Sequence, residues 1–216
     1  WMLQVEGLSL RYPRQDRPLL RDLSFCLAPG ELLWLKGPNG SGKTSLLNVL
    51  SGIIPQRIKA ELTGSVTLSG TDLCALPLNE KFRHLAYQMS DPDHQIFFPR
   101  IEKELSFALE NGGLPAVQMR QRIARAQADF GLNEFGQVEP GQLSRGQKKL
   151  LVLATCAALD PPLYLLDEPT SALSDAALEL LLAWLREALA AGRSVVVAEH
   201  NPIVSDLAAV TLEFCK

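Results

Sequence analysis

The chain has 216 residues, 47% of them hydrophobic and 21% charged, and a formal net charge of −3. That is enough apolar material for one large globular domain, or a domain with a sub-lobe, and the acidic balance excludes a broad basic field for nucleic acid. Four scattered cysteines without C-x-x-C spacing exclude a zinc framework or disulfide scaffold, and no apolar run is long enough to cross a bilayer.

Residues 1–36 read as β structure. Leu3, Val5, Leu8 and Leu10 come close to alternation, with a break at Gly7, while Leu23, Phe25 and Leu27 alternate cleanly. Pro13 to Pro18 is a charged turn, and Ala28-Pro29-Gly30 is a second. Tyr12 closes the first strand as a cross-strand aromatic. Glu31 to Lys36 is a short apolar run suited to a buried strand.

Next comes Gly37-Pro38-Asn39-Gly40-Ser41-Gly42-Lys43-Thr44, a match to G-x-x-x-x-G-K-[ST]. A polyphosphate needs many donors converging in a small volume. Glycines at 37, 40 and 42 let backbone N–H groups approach it, Lys43 can reach the terminal phosphates, and the Thr44 hydroxyl can ligate magnesium. Ser45 to Leu50 continues as a helix, so the phosphates would sit at a helix N-terminus, where the dipole favours negative charge. The helix stops at Gly52, with Pro55 beyond.

Gly64 to Gly70 reads as a short strand between glycine turns, belonging with the N-terminal strands. Leu85 to Gln88 is another strand with a polar end. Between Met89 and Leu143 the pattern turns helical, over Glu102 to Glu110 and Val117 to Phe130, separated by Asn111-Gly112-Gly113 and Pro115. The second helix sets Val117, Ile123, Ala124, Ala128 and Phe130 among Arg120, Arg122 and Arg125, which read as a solvated face.

Leu143-Ser144-Arg145-Gly146-Gln147 opens a helix through about Ala158, with Ser144 as its N-cap. Leu163 to Glu168 is a buried strand ending in two carboxylates. A helix from Ser174 presents Leu178, Leu181, Leu182, Leu185 and Leu189, and ends at Gly192. Ser194 to Ala198 is a further apolar strand, followed by Glu199-His200, and Thr211 to Phe214 is a last short strand. Alternating buried strands and helices predict an α/β fold with a mostly parallel sheet. The expected division is one domain over 1–216: residues 1–88 and 144–216 form the core with an antiparallel β piece, and 89–143 an inserted helical lobe.

Ligands of such sheets bind beyond the carboxyl ends of strands. Gly37, Gln88, Asp167 and His200 all fall there. Asp167 can anchor magnesium, Glu168 can act as a base for water, His200 can hold the terminal phosphate or the attacking water, and Gln88 can see the metal.

The order of Tyr12, Gly37–Thr44, Gln88, Leu143–Gln147, Leu163–Glu168, Ser171–Ser174 and His200 resembles the ATP-binding-cassette ATPases over nearly the whole chain. Leu-Ser-Arg-Gly-Gln is the specific element. The resemblance implies ATP and Mg²⁺ as cofactors. Tyr12 would stack on adenine, and Asn39 to Ser45 would hold the phosphates, with Thr44, Gln88 and Asp167 at the metal. Glu168 would be the general base and His200 the γ-phosphate switch. Ser144, Gly146 and Gln147 would complete the site of a second cassette in a homo- or heterodimer. An integral membrane subunit would be the second partner, which places the chain at the cytoplasmic face of a membrane.

Pro92-Asp93-His94-Gln95-Ile96-Phe97 looks like the P-D-x-Q-x-F segment of energy-coupling-factor importers, which take up vitamins and cobalt or nickel ions. Three residues separate Gln88 from Pro92, where that subfamily has one. Arg145 replaces the commoner glycine, Gln147 is followed by Lys148-Lys149-Leu150 without the arginine often found there, and Ser174 takes the usual place of aspartate, with Asp175 one place later. The expected function is ATP hydrolysis that powers membrane import. The alternative is a soluble cassette acting on DNA or ribosomes, but the long coiled-coil insertion of the DNA-repair members and the second cassette of the translation factors are both missing from this sequence.

Overall fold

A computed structural model describes residues 2–111, 113–135 and 138–214, so Gly112 of the expected turn and Cys215 lie outside the described residues. In chain order the elements are β1 (Leu3–Arg11), β2 (Leu20–Leu27), β3 (Leu32–Lys36), α1 (Lys43–Ser51), α2 (Ile53–Gln56), β4 (Glu61–Leu68), β5 (Thr71–Asp72) and α3 (Leu78–Lys81). They continue with β6 (Leu85–Gln88), α4 (Ile101–Asn111), α5 (Ala116–Asp129), α6 (Arg145–Leu159), β7 (Leu163–Asp167), α7 (Asp175–Ala190), β8 (Ser194–Ala198) and β9 (Ala208–Glu213).

Two sheets result. One is antiparallel, in the order β2-β1-β4-β5, and the other has the order β6-β7-β8-β3-β9 with parallel pairing at each step. The fold is the expected α/β arrangement of a mostly parallel sheet with an antiparallel β piece. Strands of the parallel sheet are apolar on both faces because both are covered. Leu33, Leu35, Leu163, Leu165, Val196 and Ala198 pack with α1 and the β piece. Their neighbours Leu32, Trp34, Tyr164, Leu166, Val195 and Val197 pack with α6 and α7. The side-chain period of two in a strand makes this division.

The break in the β1 pattern at Gly7 is an irregularity of the ladder. Register shifts fall between Val5 and Leu8 against β2, and between Glu6 and Ser9 against β4. Gly64 lies opposite, inside β4, and is not the turn that the sequence predicts. Its φ is 89°, and a Cβ there would meet the carbonyl oxygens of Glu6 and Gly7 at 2.5 Å. Glycine lets the two backbones close at the bulge, and β4 runs through it.

Helices α4 and α5 pack on α6, burying Ile101, Leu105, Leu109, Ala126 and Phe130. Two expectations for α5 are corrected. Val117 is 58% exposed and lies outside the buried face, which centres on Ala126 and Phe130. Arg122 is not merely solvated: its guanidinium donates to the carbonyls of Ala158 (3.3 Å) and Leu159 (2.9 Å), the unsatisfied acceptors at the end of α6. Arg125 pairs with Glu187 of α7 at 3.0 Å and Asp129 at 3.5 Å. The last strand, β9, begins at Ala208, three residues before the expected start, and pairs with β3 along the sheet edge.

Candidate functional site

The loop between β3 and α1 leaves the parallel sheet at its carboxyl edge, from a strand flanked by β8 and β9. Gly42 caps α1 with φ 108°, a conformation closed to side chains with a Cβ, and the helix starts directly at Lys43. Asn39, Gly40, Gly42, Lys43, Thr44, Ser45 and Glu168 line one pocket of about 250 Å³ together with Leu19. Leu19 carries no polar signal, and the sequence reading missed it. The Lys43 ammonium donates to the carbonyls of Gly37 (2.6 Å) and Pro38 (2.9 Å), so it is held over the loop that it would share with a phosphate. Ser41 is buried, and its hydroxyl has no hydrogen-bond partner.

The neighbouring strand ends converge on this loop. The Thr44 hydroxyl donates to the Asp167 carboxylate at 2.9 Å. Burial raises the Asp167 carboxyl to about 6 from 3.8, in spite of the Thr44 bond and the nearby Lys43. Gln88, fully buried at the end of β6, donates through its amide to the carbonyls of Asp167 (3.2 Å) and Met89, while its Oε1 has no partner. Tyr12 reaches the same helix, with its hydroxyl 3.0 Å from that of Ser45.

His200 follows β8 and is exposed. Its ring Nδ1 lies 3.4 Å from Glu199, which is buried. Glu199 was passed over in the sequence as the neighbour of a histidine. Its carboxylate accepts from the Thr170 hydroxyl at 2.6 Å, the His200 N–H at 2.9 Å and the Asn201 N–H at 3.2 Å. It thereby ties the histidine segment to the segment that follows Glu168.

Ser144, Gly146 and Gln147 form the first turn of α6 and lie apart from the pocket lining. Ser144 and Gln147 make a capping box: the Gln147 N–H donates to the serine hydroxyl at 3.2 Å, and the Ser144 N–H to the glutamine side chain at 2.8 Å. A serine oxygen that accepts still has its own proton to donate outward. Lys148 bonds Asp93 at 2.7 Å, which joins this turn to the segment after Gln88. In that segment Gln95 accepts from the Met89 N–H at 2.6 Å and donates to the Tyr87 carbonyl at 2.7 Å. Ser174, which replaces the expected aspartate, caps α7 by accepting from the Ala177 N–H at 3.3 Å. Either residue type serves an N-cap.

A parallel sheet with a glycine-rich loop, a lysine and a strand-end carboxylate at its carboxyl edge defines a P-loop nucleotide-binding fold. Residues 20–171 match the ABC transporter family, and the chain belongs to that family. It is 35% identical over 186 residues to the energy-coupling factor transporter ATP-binding protein EcfA1 of Geobacillus kaustophilus, covering 86% of this chain and 64% of the relative. The chain spans less than two thirds of the length of the first curated relatives that it matches, 64%, 38% and 42%. Among solved structures, cbiO1 from Clostridium perfringens, part of the ABC transporter complex cbiONQ, superposes with a TM-score of 0.78 at 25% identity, covering 98% of this chain and 83% of that one. An ATP-binding cassette solved as a dimer in a post-hydrolysis state with ADP and Pi gives 0.85 at 21% identity, over 98% and 94% of the two chains, a likeness of fold.

Proposed function

We propose that this chain is an ATPase that hydrolyses ATP as one of a pair of cassettes and powers import through an integral membrane subunit. The observation that carries the reading is the 2.9 Å bond between Thr44 and Asp167, with Glu168 in the wall of the same pocket. Thr44 and Asp167 would hold Mg²⁺, with Gln88 beside them. The donor set is all oxygen, as a hard cation requires, the Asp167 carboxylate is buried, and Gln88 Oε1 is an unused acceptor. Bound there, the ion supplies charge neutralisation at the phosphate oxygens.

The chain's own residues supply the rest. Asn39 to Ser45 offer backbone N–H groups at the start of α1 to the phosphates, and Lys43 offers its charge. Tyr12 faces the base, and Glu168 takes a proton from the attacking water. His200, oriented by Glu199, addresses the terminal phosphate. Ser144, exposed at the start of α6, closes the nucleotide site of a second cassette together with Gly146 and Gln147 of the same turn.

A groove of about 340 Å³ between the ends of α1, β6 and α6 suits the membrane partner. It is lined by Ile53, Phe82, Leu85, Tyr87, Met89 and Leu159, among others. No described helix is long and apolar enough to cross a membrane, so contact with the bilayer would come through that partner, at the cytoplasmic face. The energy-coupling-factor relative and the segment Pro92–Phe97 support an importer of that type, with a vitamin or a cobalt or nickel ion as cargo. The test is co-purification. An integral membrane subunit that raises ATP hydrolysis supports the reading, and recovery with ribosomes or DNA overturns it.

A further inference from the structure

Lys149 is the fifth residue of α6, and it points into the protein. It is fully buried, and its ammonium donates to the carbonyl oxygen of Glu168 at 2.6 Å and to the hydroxyl of Ser171. The Ser171 hydroxyl donates to the same carbonyl at 3.0 Å. A buried ammonium is expensive, and its hydrogen-bond acceptors are neutral oxygens of one short segment, while the carboxylates of Glu168, Glu199 and Asp167 act on it only through space. Such a group is badly placed to add stability, since an apolar side chain of equal volume would fill the space at no desolvation cost. Its geometry serves something else.

Glu168 has φ 49°, in the left-handed region, where a Cβ crowds the backbone and a non-glycine residue is strained. Both of its peptide groups are held. Its N–H donates to Ala198 of β8 at 2.9 Å, and its carbonyl receives Lys149 and Ser171. Beyond it, Thr170 is fixed by the buried Glu199. A residue anchored at N–H and C=O has its Cα–Cβ direction set, and Glu168, so fixed, lines the phosphate pocket. Lys149 is the only one of these anchors that comes from α6, the helix whose first turn carries Ser144.

We infer that Lys149 is a positioning residue for hydrolysis, which holds the backbone of Glu168 in its left-handed conformation and so aims the carboxylate at the attacking water. It touches neither nucleotide nor water and acts through Glu168. This inference rests on Glu168 being the base.

The test is a double-mutant cycle on the purified protein, with Lys149→Met and Glu168→Gln. Methionine keeps an unbranched chain of similar volume and removes the donors. Lys149→Met alone is expected to lower kcat by roughly 10- to 100-fold, the cost of misplacing a reacting group by about 1 Å, with the KM for ATP within about twofold. In the Glu168→Gln background the same change is expected to alter the residual rate by less than about twofold, because residues that act as a unit are not additive. Equal losses in both backgrounds, or a parental rate for Lys149→Met, overturn the role of Lys149 and leave the base standing. A parental rate for Glu168→Gln overturns both. Should Lys149→Met not fold, Ser171→Ala in the same cycle removes the other side-chain donor to the Glu168 carbonyl, and with it a partner of the Lys149 ammonium, leaves the Ser171 N–H bond in place, and is read by the same criteria with a smaller expected loss.

Discussion

The carbonyl oxygen of Ala172 lies so close to Gly146 that a Cβ on that residue would stand 2.5 Å from it. Contact at that range leaves no room for any side chain, and the obstacle is backbone on both sides. The first turn of α6 and the segment after Glu168 are therefore pressed together at Gly146 and bonded together at Lys149.

Gly146→Ala is expected to force the two backbones apart, at a cost of roughly 1–3 kcal/mol, the usual range for overpacking. For a chain of this size that lowers the melting temperature by about 2–12 °C. An unchanged melting temperature would show that the turn and the segment are not packed as described.

Glu168→Gln is expected to keep ATP binding and slow hydrolysis by roughly 10²–10⁴-fold, the usual contribution of a general base. Nucleotide affinity by fluorescence and turnover by phosphate release separate the two effects. Loss of binding together with turnover would place Glu168 in phosphate binding instead.

Asp167 gives the nucleotide-free protein a pH dependence of definite sign. Its carboxyl titrates at about 6 when folded and near 3.8 in an ordinary setting, so between these values the folded state holds more protons than the unfolded one. Stability contributed at this site falls as pH rises from about 4 to about 6, and the loss persists above that range. Asp167→Asn, which cannot ionise, is expected to melt above the parent at about pH 8 in the presence of a chelator and to match it near pH 4. The same variant is expected to lose the stabilisation given by magnesium and ATP. Equal melting at both pH values would remove the strain attributed to the buried carboxylate.

Ser144→Arg is expected to block ATP-driven pairing while leaving the monomer's ATP affinity nearly intact. Ser144 is exposed on its own helix turn, apart from the pocket lined by Lys43 and Thr44. Light scattering with a slowly hydrolysing variant reads the outcome. Undiminished dimerisation would place the contact between cassettes elsewhere.

Much of this was readable in the chain itself, wherever one physical cause dominates. Buried strands such as Leu163–Asp167 and Ser194–Ala198 show as apolar runs because both faces are covered, and the glycines at 37, 40 and 42 show because close backbone approach admits little else. What escaped depends on partners remote in sequence. Lys149 reads as one more cation after Lys148, and only the fold turns it inward onto Glu168. Arg122 looked solvated because the carbonyls that it meets end a helix some 36 residues later. Gly64 looked like a turn because the bulge that requires it lies in another strand.

Gln95 carries a consequence of a different kind. β6 is the outermost strand of the parallel sheet, with β7 on one side, so the Tyr87 carbonyl and the Met89 N–H point away from the sheet. These are the two groups that a residue of a parallel neighbour would engage opposite Gln88, and the Gln95 amide engages both. One side chain impersonates a strand one residue long. An unpaired margin invites edge-to-edge association with any extended polypeptide. With these two groups already engaged, an incoming strand finds no partner opposite Gln88 from which the sheet could keep growing.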